Sequence, residues 1–202
     1  VKKFYRRDST VIFPPIEISK GVALQRPLQG HPLKRAYYLS VGRLTYSKRV
    51  DLAVAAANKL NIPLKIVGTG PEEESLKAIA GPSIEFLGSV SDEKLDELYA
   101  GAKVLLFCAL DEDFGMVPVE AEAAGTPVIA LGQGGVLETG VDGKTGVIFG
   151  EPTVQSLVEA INKFNKSYRS DRYYNNCIEQ SKNFSKERFK KDLAAFVQKN
   201  VL

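Results

Sequence analysis

Two glutamates with seven residues between them, Glu112 and Glu120, stand in DEDFGMVPVEAEAAGTPVIALGQGGVLETGVDGKTG, the stretch from Asp111 to Gly146. A Phe-Gly step (Phe114, Gly115) follows the first glutamate, and a PVIA run and a glycine pair (Gly134, Gly135) follow the second. Fixed carboxylates accept hydrogen bonds from sugar hydroxyls, and the amides at a glycine-opened helix start hold phosphate. Together they suit a polyhydroxylated, phosphate-bearing ligand, a nucleotide sugar. Glu120 falls inside a predicted helix and Glu112 on the loop before it. One carboxylate holds a ribose diol well, which assigns Glu120 to the ribose and leaves Glu112 deeper, toward the sugar. Two solvated acids are the plain alternative; the Phe-Gly step and the later glycine pair favour the functional reading.

The amides of Gly115, Met116 and Val117 form the helix N-terminus, free for phosphate or hydroxyl oxygens. Pro118 costs nothing in a first turn. Gly134 and Gly135 allow close backbone approach, with Val136 and Leu137 offering further free amides. A leaving diphosphate needs its growing charge neutralised by a metal or by paired cations. Arg43 and Lys48, in VGRLTYSKRVD, flank the start of the first long helix and reach one pyrophosphate; Arg49 points elsewhere. Gly68 and Gly70, in GTGP, border the nucleotide; the motif lacks the third glycine of a nicotinamide fingerprint. Val90 offers its backbone to a base. Asp111-Glu112-Asp113 is formally a DxD metal signature, discounted because Arg43 and Lys48 already supply positive charge. No metal residue is assigned.

These groups need a scaffold. From Ala36 strands and helices alternate: strands in AYYLSVG, PLKIVG, IEFLG, KVLLFCAL, TPVIAL and GVIFG, and helices in SKRVDLAVAAANKL, PEEESLKAIA, SDEKLDELYAGA, FGMVPVEAEAAG and EPTVQSLVEAINKF, with a short one over 134–141. Val50, Val54, Ala57 and Leu60 share one helix face; Ser91 is a candidate N-cap and Gly125 a stop. Such alternation predicts an α/β fold: a single Rossmann-like, doubly wound, parallel six-stranded sheet with helices on both faces. Ligands bind such a sheet outside the strand C-termini. Gly42-Arg43, Gly68 to Gly70, Gly88, Asp111 to Gly115 and Gly132 to Gly135 all follow strands and converge on that edge. Residues 1–35 read as an interdomain, lead-in segment around VIFPPIEI, 36–166 as the ligand-binding domain, and 167–202 as a polar helical tail.

Composition narrows the class. The 202 residues are 44% hydrophobic and 25% charged, with a net charge of +3, ordinary for a globular domain and too mild to imply nucleic acid. Cys108 and Cys177 have no CxxC spacing and read as buried or incidental free thiols, in keeping with a reducing, cytoplasmic setting. A single histidine, His31, argues against a histidine-built metal site. No apolar run reaches the roughly 20 residues that span a bilayer. The chain opens VKKFYRRDS, with no secretory leader and no initiator Met, and reads as part of a longer protein.

SVGRLTYSKRVDLAV, IVGTGPEEESL, FLGSVSDEKLDELYAGA and EDFGMVPVEAEAAGTPVIALGQGGVLETGVDGKTGVIF together resemble the C-terminal, donor-binding domain of the retaining family 4 glycosyltransferases, which have the GT-B fold. The resemblance covers residues 36 to 166. It implies sugar transfer from a nucleotide donor with retention and usually without metal or other cofactor. Arg43 and Lys48 then form the diphosphate clamp, Glu112 meets the donor sugar, Glu120 the ribose, and Phe114 and Gly115 with the following amides the sugar-side loop. ALGQGGVLETGVDGKTG is similar to mannosyltransferases that use GDP-mannose; a UDP-sugar is the rival donor. The implied partners are the N-terminal GT-B domain of the same protein and a glycan or lipid-linked acceptor, with peripheral association of the full protein at the cytoplasmic membrane face. That N-terminal domain would carry the acceptor site and often a catalytic histidine, a role His31 does not fill, so this domain alone binds donor without completing transfer. The competing readings are a non-catalytic nucleotide-sugar-binding module, a nucleotide-sugar epimerase of the same fold and, more distantly, a nicotinamide dehydrogenase.

Overall fold

The computed structural model describes residues 6, 8–16, 35–110, 112–168 and 170–200. His31 and Asp111 lie outside them, as does most of the predicted lead-in segment. Six parallel strands form one sheet: β1 (Tyr37–Val41), β2 (Leu64–Val67), β3 (Ile84–Gly88), β4 (Ala102–Phe107), β5 (Val128–Leu131) and β6 (Gly146–Phe149), in the order β3-β2-β1-β4-β5-β6. The order reverses between β1 and β4, where Leu39 stands opposite Leu105. The helices are α1 (Val50–Leu60), α2 (Glu73–Ile79), α3 (Asp92–Gly101), α4 (Met116–Ala123), α5 (Val136–Thr139), α6 (Val154–Ser167), α7 (Ser170–Ser181) and α8 (Lys186–Asn200). The doubly wound parallel sheet expected from the sequence is the fold observed.

Strand alternation divides the core in two. Tyr38, Ile66, Val104, Leu106, Ile129 and Val147 face α1, α2 and α6. Leu39, Leu105, Phe107, Val128 and Ala130 face α3 and α4. Both faces of a parallel sheet are thus covered. Local signals fix the helix ends: Ser91 Oγ accepts from the Lys94 amide at 3.3 Å, and Gly125 stops α4 with φ +70°. On α1, Val50, Val54 and Ala57 are buried and Leu60 half-buried against the same core. Both cysteines are buried and free; burial pushes the Cys108 thiol up to about 12.

The tail is part of this packing. Tyr173 and Cys177 of α7 are buried, and α7 lies along α4. Ile16, Val119, Ala123 and Phe184 form a third cluster with Phe13 and Phe114 against it, joining the lead-in segment, α4 and the tail. The Ile16 amide donates to the Phe184 carbonyl at 2.9 Å. Arg35 staples the opposite edge of the sheet, donating to Thr126 Oγ1 at 2.7 Å and to the Ala102 carbonyl at 3.1 Å.

One core residue breaks the pattern. Glu122 of α4 is fully buried, and neither carboxylate oxygen has a hydrogen-bond partner. The nearby Thr145 hydroxyl is engaged by the Val141 amide at 2.9 Å and eases the cost only in part. Burial raises the Glu122 pKa from the ordinary 4.5 to about 8. The unfolded chain ionises Glu122 near 4.5, so between there and about 8 the folded state holds a proton that the unfolded state lacks. Stability from this group therefore falls as pH rises through that window and is level above it. Glu122→Met should stabilise the fold at pH 8.5 by about 1–3 kcal/mol, the cost of an unsatisfied buried polar group. The gain should shrink at pH 5.5. Urea unfolding at both pH values checks this; an equal gain at both would refute the linkage.

Candidate functional site

The site lies at the carboxyl edge of the sheet, where the strand order reverses. A cavity of about 320 Å³ there is lined by Pro14, Val41, Gly42, Lys48, Phe107 and residues 112–117. That is large enough for part of a small organic ligand. Gly42 follows β1 with φ +148°, and a Cβ there would meet open space, so the backbone itself forms the wall.

Lys48 reaches the cavity through a local distortion that the sequence did not reveal. Instead of opening a helix, Lys48 closes a 3-10 turn over Tyr46–Lys48. Arg49 follows with φ 48°, and α1 starts only at Val50. Arg49 grips Asp51 through two contacts of 3.0 Å. The Ser47 carbonyl accepts from the Leu110 amide at 2.8 Å, tying this turn to the loop after β4. That tie brings the Lys48 ammonium directly onto Glu112 Oε2. Arg43 is exposed at the end of β1 and has no ion-pair partner among the described residues.

The Glu112 loop is pinned from two further sides. The Gly135 amide donates to the Glu112 carbonyl at 2.7 Å. A side chain on Gly134 or Gly135 would overlap the backbone of Glu112, Asp113 or Phe114. The close approach expected of this pair is thus to the protein's own loop. Leu137 does not offer a free amide, because it donates to the Gly134 carbonyl at 3.2 Å. The Phe114 ring, expected on the sugar-side loop, packs away into the third cluster. It stacks on Phe13 with centroids 5.7 Å apart and meets Phe184 edge-on at 5.5 Å. Its role in the structure is to anchor the loop.

Gly115 caps α4 with φ 80° and no side-chain hydrogen bond. The first amides of a helix have no intrahelical acceptor, so those of Met116 and Val117 stand at the cavity wall. Met116 is exposed and Val117 half-buried. Glu120, one turn along α4, is outside the cavity lining and points toward α3. Tyr99 Oη donates to Glu120 Oε2 at 3.0 Å. Burial is the main cause that raises the Glu120 pKa; the Tyr99 bond opposes it, and Asp96 and Asp92 add to it. Tyr99 was missed by the sequence reading, since a tyrosine on the buried side of a helix looks like any core aromatic.

Gly68 and Gly70 also act internally. A side chain on Gly68 would strike Gly42, and one on Gly70 would strike Leu44. They press the loops after β1 and β2 together, and the Leu44 amide donates to the Thr69 carbonyl at 2.9 Å. Val90 is half-buried and packs against the core on the α3 and α4 side of the sheet. The structure therefore gathers Gly42, Lys48, Glu112 and residues 114–117 around one cavity. Arg43, Glu120, Gly68, Gly70 and Val90 lie in surrounding elements.

The sequence pattern of the family described as glycosyl transferases group 1 matches residues 23–184. The chain belongs to that family. It is 37% identical over 109 residues to an uncharacterized glycosyltransferase of Methanocaldococcus jannaschii, covering 50% of this chain and 28% of that protein. It is 42% identical over 78 residues to the alpha-1,3/1,6-mannosyltransferase ALG2 of Dictyostelium discoideum, covering 39% of this chain and 18% of that one. HepE of Anabaena, solved in complex with UDP, superposes with a TM-score of 0.77 at 21% identity over 94% of this chain and 57% of its own. This group 1 glycosyl transferase chain thus corresponds to a minor part of the curated relatives it matches, and to over half of the solved neighbour.

The glycine contacts make a direct prediction about loop order. Gly135→Ala should lift the 112–114 backbone and weaken the loop's closed state by about 1–3 kcal/mol. Chymotryptic cleavage at Phe114, which follows the open population, should then speed up by roughly 5- to 150-fold under native conditions. An unchanged cleavage rate would show that Gly135 does not pin the loop.

Proposed function

We propose that this chain is the donor half-site of a retaining group 1 glycosyl transferase. It binds a nucleotide-diphosphate hexose, which the full protein transfers to a glycan or lipid-linked acceptor. The observation that carries the reading is the meeting of Lys48 and Glu112 in a cavity beside the N-terminus of α4. A cation, a carboxylate and free helix amides there match a diphosphate joined to a sugar. Arg43, Lys48 and the Met116 and Val117 amides take the diphosphate and stabilise its departure. Glu112 orients the sugar by its hydroxyls, so that positioning lowers the barrier. Glu120, with one oxygen held by Tyr99, takes the ribose diol. Gly42 lets the ligand approach β1, while Gly68, Gly70 and Val90 shape the nucleotide side.

The leaving group is neutralised by these side chains in this proposal, without a metal or cofactor. ALG2 supports mannose, hence GDP-mannose, as the donor, whereas the UDP bound to HepE supports a UDP-sugar. The acceptor side belongs to an N-terminal GT-B domain of the same protein. The tail offers a docking strip for it: Leu193, Phe196 and Val197 of α8 are 41%, 37% and 38% exposed at helical spacing. In the proposal the full protein works at the cytoplasmic membrane face as a peripheral protein. No helix among the described residues is long and apolar enough to cross a membrane.

A thermal-shift screen of this chain against GDP-mannose, UDP-glucose, UDP-GlcNAc, GDP and UDP tests the reading. A ligand at 100 times its Kd adds about 2.7 kcal/mol, which raises Tm by roughly 5–10 °C for a domain of this size. No shift with any of the five would reject a donor site. In the full-length enzyme, Glu112→Ala and Lys48→Ala should each lower kcat/KM by roughly 100-fold or more; near-normal turnover in both would reject the assigned roles.

A further inference from the structure

Lys48 and Glu112 neutralise each other inside the protein. Their side chains are 29% and 26% exposed, so the pair sits half out of water at the cavity wall. A diphosphate brought to this wall meets a cation whose charge is already spent, beside a carboxylate that repels it. Arg43 has no such partner among the described residues, and Arg49 is held by Asp51.

We infer that the Lys48–Glu112 pair is a latch which the diphosphate opens, so that Glu112 is released to sugar hydroxyls only when phosphate has claimed Lys48. The inference rests on the reading of this cavity as a nucleotide-sugar site. The ammonium sits on a flexible stem with rotatable donors, so it can exchange a carboxylate for phosphate oxygens with little movement of the backbone. Glu112 cannot follow, because its own backbone is fastened to Gly135 and wedged on Gly134. Breaking the pair leaves its carboxylate in place and acceptor-only, and the donors that meet it are the hydroxyls of the attached sugar. A nucleoside diphosphate alone breaks the pair and gives Glu112 nothing in return. A nucleotide sugar breaks it and restores hydrogen bonds to Glu112. The latch thus favours the intact donor over its spent diphosphate and helps the product leave.

Calorimetric titration of UDP and GDP, and of the donor found in the thermal-shift screen, into this chain and its variants tests the latch. Lys48→Ala should weaken diphosphate binding. Glu112→Gln should tighten it by roughly two- to fivefold, the range of a partly exposed ion pair, while the ratio of donor to diphosphate affinity falls. Glu112→Ala should move both quantities in the same direction and stands in if the glutamine variant melts early. If Lys48→Ala weakens binding but neither Glu112 variant tightens it, the latch is wrong and the donor site stands. If Lys48→Ala leaves diphosphate binding unchanged, the donor-site reading itself fails and the latch with it.

Discussion

Everything at the carboxyl edge of the sheet depends on one steric condition: the loop after β4 must lie backbone to backbone on Gly134 and Gly135. A methyl group at either position would occupy the space of the Glu112 to Phe114 main chain. The Gly135 amide then closes onto the Glu112 carbonyl at 2.7 Å, so the contact is bonded as well as close. Because the partners are main-chain atoms, their separation is far less adjustable than a contact between flexible side chains. The same device recurs on the other side of the crevice, where Gly68 rests on Gly42 and Gly70 on Leu44. Loops that would otherwise wander are thereby held as parts of the sheet.

This rigidity gives the two glutamates different chemistry on neighbouring elements. Glu112, on the pinned loop, meets a cation and stays at the cavity wall. Glu120, one turn into α4, meets a tyrosine hydroxyl and lies near Asp92 and Asp96, which oppose its charge. One carboxylate is compensated by a mobile ammonium and the other is oriented by a neutral donor. In the proposed latch a phosphate displaces the first arrangement. The second is not in competition with an anion, and it leaves one carboxylate oxygen free to accept from hydroxyls. The strand order makes the division possible, since only between β1 and β4 do crossovers leave in opposite directions and open a crevice.

Much of this was legible in the chain. Alternation of apolar strands with amphipathic helices predicted all six strands, and glycines after strands marked the edge where the site lies. Ser91 and Gly125 announced helix ends because capping is a local interaction. What escaped the sequence was tertiary. Lys48 was expected to open a helix, but the left-handed backbone at Arg49 ends one turn and delays α1; no residue type there signals it. Phe114 looked like part of a binding loop because its partners, Phe13 and Phe184, are about 100 and 70 residues away in the chain. Gly134 and Gly135 do mark a place of close backbone approach, and the group that approaches them is the chain itself. Tyr99 carried no signal beyond its apolar helix face.

Helix α4 links the site to the tail, and its composition shows how. Its N-terminal residues line the cavity and Glu120 turns to Tyr99 of α3, while Val119 and Ala123 pack with Phe184 and Phe114 in the cluster that also holds Phe13 and Ile16. Two residues beyond Glu120, Glu122 is buried without a hydrogen-bond partner; burial, and after it the nearness of Glu122, disfavours ionisation of Cys177 on α7. A helix of eight residues thus has its N-terminus at the cavity wall and another surface holding α7. Phe114 closes the circuit: its backbone lies on Gly135 and its ring on Phe184. Displacing the tail would free that ring, and with it one of the supports of the loop that carries Glu112. The polar tail is accordingly part of what holds the site in shape, although none of its residues lines the cavity.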